Sequence, residues 1–352
     1  MISPKSALHK LTLGLYSLTL IACAAIPKLP TPTPSRLAPA TAAEQPVHII
    51  PLAAPLNKPN AEISGMAWYG DQLILLPQYP SRFNDSLFAI AKSDINAYLA
   101  GQNTNPLTAK PIPFSDAGLS TSIPGFEGFE AIAFVGERIF LTVESKPSLV
   151  SSKMLGYLVE GTVTPNLSRI RLSSQKLRIE PQAELSNTTD ETIVAGSERI
   201  LTLYEANGSN VNPKPKAHVF ELSTGLTPQP SLPFPNIEYR VTDATPMDAN
   251  GKFWVINYMF PGDANKLQPA KDPIASKYGL GPTHAKSQAV ERLLELQLTP
   301  SGVVLTDRAP IVLKLADDGQ SRNWEGIAML DQRGFLLVTD QHPTTILAFV
   351  AR

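Results

Sequence analysis

Five pairs of oxygen-bearing side chains recur along the chain at one spacing: Ser64/Gln78, Glu130/Glu144, Glu191/Glu205, Asp243/Asn257 and Glu325/Asp340, with 14 or 15 positions between partners. Donors of this kind, with no cysteine or histidine cluster nearby, suit a hard cation. Ca2+ fits better than Mg2+, which demands a tight octahedron. The first members, Ser64, Glu130, Glu191, Asp243 and Glu325, form the expected metal set if the fold brings them to one place. Four carboxylates crowded together cannot all stay charged and alone. Two unit charges about 4 Å apart repel by about 4 kcal/mol at an effective dielectric near 20. Either protons or a cation must offset them. The second members Glu144, Glu205 and Asp340 then become the expected catalytic groups, as general bases beside a metal-held water, or else supports for the metal.

Other side chains follow from the same placement. Arg82 and Lys146 lie in the loops after the first two pairs and are expected to receive substrate, for instance a phosphate. His342, in DQHPT, is an expected proton carrier at that mouth. Tyr258 is expected to wall a pocket, with Phe260 beside it. Several common chemistries are absent: the chain has no G-x-S-x-G elbow, Walker loop, H-E-x-x-H or G-x-G-x-x-G. The five histidines are scattered, which argues against zinc.

The elements that must position these groups are hairpins. EAIAFVGERIFLTVE (130–144) and EGIAMLDQRGFLLVTD (325–340) both read as strand, tight turn, strand, so a hairpin returns its last residue beside its first. Five such units, each followed by further strand-like segments, imply an all-β chain folded as a β-propeller with the repeated oxygens converging on one axis. Five blades is the count the sequence supports. Six stays open if the insertion after Asn257, or the 150–185 region, hides a degenerate blade. The last unit has only three strands, and the segment from His48 is expected to supply the fourth, closing the ring by pairing N-terminal and C-terminal strands. VERLLEL alternates as a strand, and Ser93–Leu99 reads as a short helix.

The N-terminal end has a different character. Lys5 and Lys10 precede an apolar run from Leu11 to Ile21, and the stretch ends in Leu20-Ile21-Ala22-Cys23. That is the pattern of a lipoprotein signal peptide over 1–22, with Cys23, the only cysteine, as the acylated residue (a palmitate-type anchor). Residues 23–46 read as a proline-rich tether and 47–352 as the propeller. The expected location is the extracytoplasmic side of a cell-envelope membrane, reached through the lipid. With 30 basic against 31 acidic residues, nucleic acid is not an expected partner. A monomer with a small-molecule substrate or ligand is.

EISGMAW, GFEGFEAIAF and NWEGIAML, each leading to a strand that ends in Gln, Glu or Asp, resemble the bacterial phytase-like, or esterase-like, β-propeller family over residues 62–350. The chain is also similar to calcium-activated apyrases, five-bladed propellers with an axial calcium held at the inner-strand starts. Carried over by that resemblance, Ser64, Glu130, Glu191 and Glu325 match. Asp243 departs from the hydroxyl pattern, which the adjacent Thr242 would satisfy. The resemblances imply a calcium-dependent hydrolase of phosphoesters or esters. The alternative is a non-catalytic binding propeller whose metal is structural.

Overall fold

The computed structural model describes residues 42–148, 150, 153–319 and 321–352. The expected signal peptide, Cys23 and nearly all of the tether lie outside the described residues. The all-β expectation holds. Two short strands, β1 (Glu44–Gln45) and β2 (His48–Ile50), precede the repeats. The first antiparallel sheet is β3 (Ile63–Tyr69), β4 (Gln72–Pro77), β5 (Ser86–Ala91) and β6 (Lys110–Ser115). The second is β7 (Phe126–Val135), β8 (Arg138–Ser145), β9 (Leu155–Val163) and β10 (Ile170–Ile179). The third is β11 (Asp190–Ala195), β12 (Arg199–Tyr204), β13 (Lys216–Glu221) and β14 (Thr227–Pro233). The fourth has β15 (Arg240–Ala244), β16 (Lys252–Met259) and β17 (Val290–Thr299), with its outer position shared by β18 (Gly302–Leu305) and β19 (Ile311–Leu313). The last has β20 (Trp324–Leu330), β21 (Gly334–Thr339) and β22 (Leu347–Ala351), and β2 pairs antiparallel to β22 as its fourth strand.

Each sheet is apolar on both faces, and the period of two along a strand sends alternate residues into different cores. On β4, Leu73 and Leu75 join a core shared with the last sheet, whereas Ile74 and Leu76 join one shared with the second. On β21, Leu336 and Val338 face the first sheet, and Phe335 and Leu337 face the fourth. Two more cores lie between the second and third sheets and between the third and fourth. The innermost strands β3, β7, β11, β15 and β20 touch in sequence, and β20 touches β3. This radial stacking is that of a β-propeller. The first two sheets also join at their outer edges through a short parallel pairing of β10 with β6.

Strand β10 is interrupted by a bulge between Leu172 and Lys176. Two details differ from the sequence reading. The fold takes in residues before 47: β1 pairs parallel with β19, and Glu44 accepts bonds from Thr283 N (2.8 Å), Thr283 Oγ1 (2.7 Å) and His284 Nδ1 (2.9 Å). The insertion after Asn257 contains short helical turns, among them Ala264–Leu267 and Pro273–Tyr278, and its described residues form no strand before β17. The expected helix is present as Lys92–Leu99. Among the described residues, no helix is long and apolar enough to cross a membrane.

Candidate functional site

A single irregularity repeats at the start of every inner strand. The ladder register slips between Ile63 and Gly65, Phe129 and Ala131, Asp190 and Thr192, Val241 and Ala244, and Trp324 and Gly326. The residues skipped are Ser64, Glu130, Glu191, the pair Thr242–Asp243, and Glu325. A bulge leaves one residue out of the ladder and re-aims its side chain. In four sheets that side chain reaches an axial cavity of about 470 Å³, which Ser64, Glu130, Glu191 and Glu325 all line. Gln78, Glu144 and Asp340, at the returning ends of their hairpins, line it too.

The fourth hairpin behaves differently. Thr242 Oγ1 donates to Trp324 O (2.6 Å), just as Ser64 Oγ donates to Phe129 O (2.5 Å), the carbonyl preceding the next sheet's acid. Thr242 is therefore the counterpart of Ser64. Asp243, expected in the metal set, points elsewhere. Its Oδ2 accepts from Ile327 N (2.8 Å), its carboxylate also meets the Ala244 and Met66 amides, and it is 1% exposed and does not line the cavity. A carboxylate bonded to the backbones of its neighbours is a tie between inner strands. Asn257 is likewise spent, donating to Glu238 O and Arg240 O (both 2.9 Å) and accepting from Arg292 Nε (2.8 Å).

The remaining expected residues fall into two groups. His342 lines the cavity at its exposed rim, and its backbone N donates to Asp340 Oδ1 (2.8 Å). Glu205 is fully buried behind the lining, paired with Arg240 Nη1, while its Oε2 has no partner among the described residues. Tyr258 is also buried behind the lining, its hydroxyl donating to Asn323 Oδ1 and to Glu325 Oε1 (3.1 Å); it holds an acid in place and does not wall a pocket. Arg82 pairs with Glu62 and lies over the Tyr79 ring (4.2 Å), outside the cavity lining. Lys146 is not a lining residue either.

Arg240 is the residue sequence reasoning missed. It is the only lysine or arginine among the lining residues and is gripped by Glu205 and by Asp263 Oδ2 (Nε, 2.7 Å). An arginine within EYRVTDA, an otherwise strand-like run, was the available signal, because a buried guanidinium requires a carboxylate partner. Asn187, Asn323, Ser321, Asp318 and Phe260 complete much of the lining and come from loops that carry no repeat signature. Gly128 (φ +136°) fixes Gln78: a Cβ there would stand 2.3 Å from Gln78 Cγ, so only glycine lets that amide lie over the second hairpin and donate to Glu130 Oε1 (3.0 Å).

Electrostatically the site is short of positive charge. Burial, reinforced by Glu144, holds the Glu130 carboxyl well above the usual carboxylate range. Burial with Glu205 beside it pushes Glu144 up to about 8. Glu191 is raised by burial and then by Glu205 and Glu325, and Glu325 by burial and Asp340. Burial also raises Asp340, against a backbone bond from His342 that lowers it. Oxygen donors of this kind match a hard cation in chemistry. They are not gathered into a ready-made cage: among the described residues, no three His, Cys, Asp or Glu side chains stand close enough to share one ion.

No family model and no curated protein matches the chain, so the phytase-like and apyrase-like resemblances rest on their short motifs. Solved structures similar to it include the soluble aldose sugar dehydrogenase from Escherichia coli in its apo form, at 13% identity over 87% of this chain and 99% of that one, TM-score 0.44. An alpha-L-arabinofuranosidase from Lactobacillus brevis matches at 11% identity over 85% and 92%, TM-score 0.45. A glucose dehydrogenase matches at 12% identity over 84% and 98%, TM-score 0.42. Similarity at this level carries no argument about activity.

Proposed function

We propose that the chain is an exported, lipid-anchored, five-bladed β-propeller closed by the pairing of β2 with β22, and that its axial cavity is the centre of a cation-dependent hydrolase of esters or phosphoesters. The observation that supports this most is the charge imbalance: seven carboxylates line the cavity, and Arg240 is the only lysine or arginine among them. Glu130 and Glu325, with the Ser64 and Gln78 oxygens, would hold Ca2+, with water completing its shell, and Glu191, expected in the same set, is left facing the cavity. When bound, such an ion polarises the scissile carbonyl or phosphoryl group and lowers the pKa of water.

The chain's own residues have distinct tasks in this reading. Glu144, raised to about 8 by burial and Glu205 without the ion, would be ionised beside the bound cation, take a proton from the attacking water and pass it to the leaving oxygen. Asp340 stands at the mouth beside His342, where protons can exchange with solvent. Arg240, clamped by Glu205 and Asp263, is fixed in orientation and turns its remaining N–H groups toward a bound oxygen. Glu205 thus positions Arg240 and does not reach the substrate.

A second reading is a non-catalytic binding propeller in which the cation only locks the blades. The commitment of Asp243, Asn257 and Glu205 to internal bonds favours it. Titrating the purified chain with Ca2+, and screening aryl esters, nucleotides and phytate with and without EDTA, separates the two. The hydrolase reading expects Ca2+ to raise the melting temperature, EDTA to reverse the rise, and turnover to fall about 10²-fold or more in Glu144→Gln with the fold intact. Stabilisation by Ca2+ without turnover of any substrate leaves the binding reading. If Ca2+ leaves the melting temperature unmoved, the cation site itself is refuted.

A further inference from the structure

The buried acids of the cavity differ in what they already hold. Glu130 receives the Gln78 amide (3.0 Å), Glu144 the Thr189 hydroxyl (3.3 Å), Glu325 the Tyr258 hydroxyl (3.1 Å) and Asp340 the His342 amide (2.8 Å). Glu191 lines the same cavity at 7% exposure and accepts no hydrogen bond from the described residues. A second lining group, the buried Ser321 Oγ, also has no partner among the described residues. Both groups face the cavity, so whatever occupies it supplies their hydrogen-bond partners.

The lip supplies the other half of a site. Phe260 lines the cavity and is 47% exposed, an unusual place for a large apolar ring. It is held over Gly262, where a Cβ would stand 2.4 Å from Phe260 Cε1. An aromatic ring that shares a cavity with several carboxylates attracts a positively charged nitrogen through the ring quadrupole and through Coulomb attraction together. An anionic ligand meets repulsion from the same groups. A volume of about 470 Å³ suits a small organic molecule.

We infer that the cavity recognises an organic ammonium ligand, with its N–H groups donating to Glu191 and its apolar part against Phe260. This rests on the reading of the cavity as the functional site, and within that reading it selects ammonium-bearing esters over phosphoesters.

Three probes of one shape test it by calorimetry on the full chain at pH 7.5: benzylamine, benzyl alcohol and benzoate. Benzylamine is expected to bind at least about tenfold tighter than benzyl alcohol, a difference of about 1.4 kcal/mol, and benzoate not to saturate. Glu191→Gln should remove that preference while leaving benzyl alcohol unchanged, and Phe260→Ala should weaken both. Melting curves check that each variant is folded. Benzoate or benzyl alcohol binding as well as benzylamine overturns the inference, as does an undiminished preference in a folded Glu191→Gln. The outcome is separable from the hydrolase test: amine binding without turnover of any ester removes the hydrolase and keeps the amine site, and turnover of phosphoesters by a chain indifferent to benzylamine does the reverse.

Discussion

Glu291 and Glu191 are both buried glutamates on strands of the same propeller, and their surroundings are opposite. Glu291, fully buried on β17, is held by Arg322 through Nε (3.1 and 3.2 Å) and Nη2 (2.6 Å), by Arg322 N (2.6 Å) and by Trp324 Nε1 (2.9 Å). Arg322 in turn donates to Lys314 O (2.6 Å). Every part of that network is answered within the chain, and its effect is to pin the loop that carries Asn323 to the cavity. Glu191 has Glu205, Glu325 and Glu144 near it, with Arg240 as countercharge, and no hydrogen-bond donor among the described residues. A satisfied buried carboxylate is architecture, whereas an unsatisfied one facing a cavity is held ready for something else.

The contrast can be broken most strongly at Glu291. Replacing it with Ala strands Arg322 in the interior and should cost about 3–5 kcal/mol of stability, read from urea unfolding. A loss below about 1 kcal/mol would mean the network is ornamental. Glu191→Gln should move stability the other way at alkaline pH, by about 1–3 kcal/mol in the absence of ligand, because it removes the penalty of ionising a carboxyl that burial holds above its usual range. The two substitutions remove the same kind of charge, so opposite signs are the sharpest statement of the difference.

The pH dependence sharpens it further. Glu144 has a folded-state pKa of about 8 against an ordinary value of 4.5, so between these the folded state binds more protons than the unfolded state. Stability therefore falls as pH rises through that window and is greatest near its acidic end. The melting temperature should drop between pH 5 and pH 8 in EDTA, and Glu144→Gln should flatten the slope. Bound cation should flatten it as well, since it replaces the protons. The smallest effect is expected at Arg82, whose side chain is 41% exposed in its pair with Glu62. Arg82→Ala should cost no more than about 1 kcal/mol and leave turnover unchanged, because surface pairs contribute little.

The 14-to-15-residue spacing carried much of the site. It located the hairpin ends, and Glu130, Glu144, Glu191, Glu325 and Asp340 do meet in one cavity. It failed at Asp243 because two polar residues are adjacent there, and a pattern of types does not say which of them leaves the ladder. It failed at Glu205 because its partner Arg240 belongs to the next sheet, 35 residues away. Nothing local marks that capture. Tyr258, read as a pocket wall, is instead a buried donor to Glu325, for the same reason.

The order of apolar and polar residues by itself determined that this chain forms hairpins apolar on both faces, since a period of two with aliphatic residues on either side can be buried only between neighbouring sheets. It also determined that an oxygen stands at each hairpin end. Only the tertiary structure decided which oxygens remain available. Hydrogen-bond donors from other sheets reach Asp243 and Glu205, one from the paired strand reaches Asn257, and none among the described residues reaches Glu191; such pairings depend on distances in space that separation along the chain does not encode.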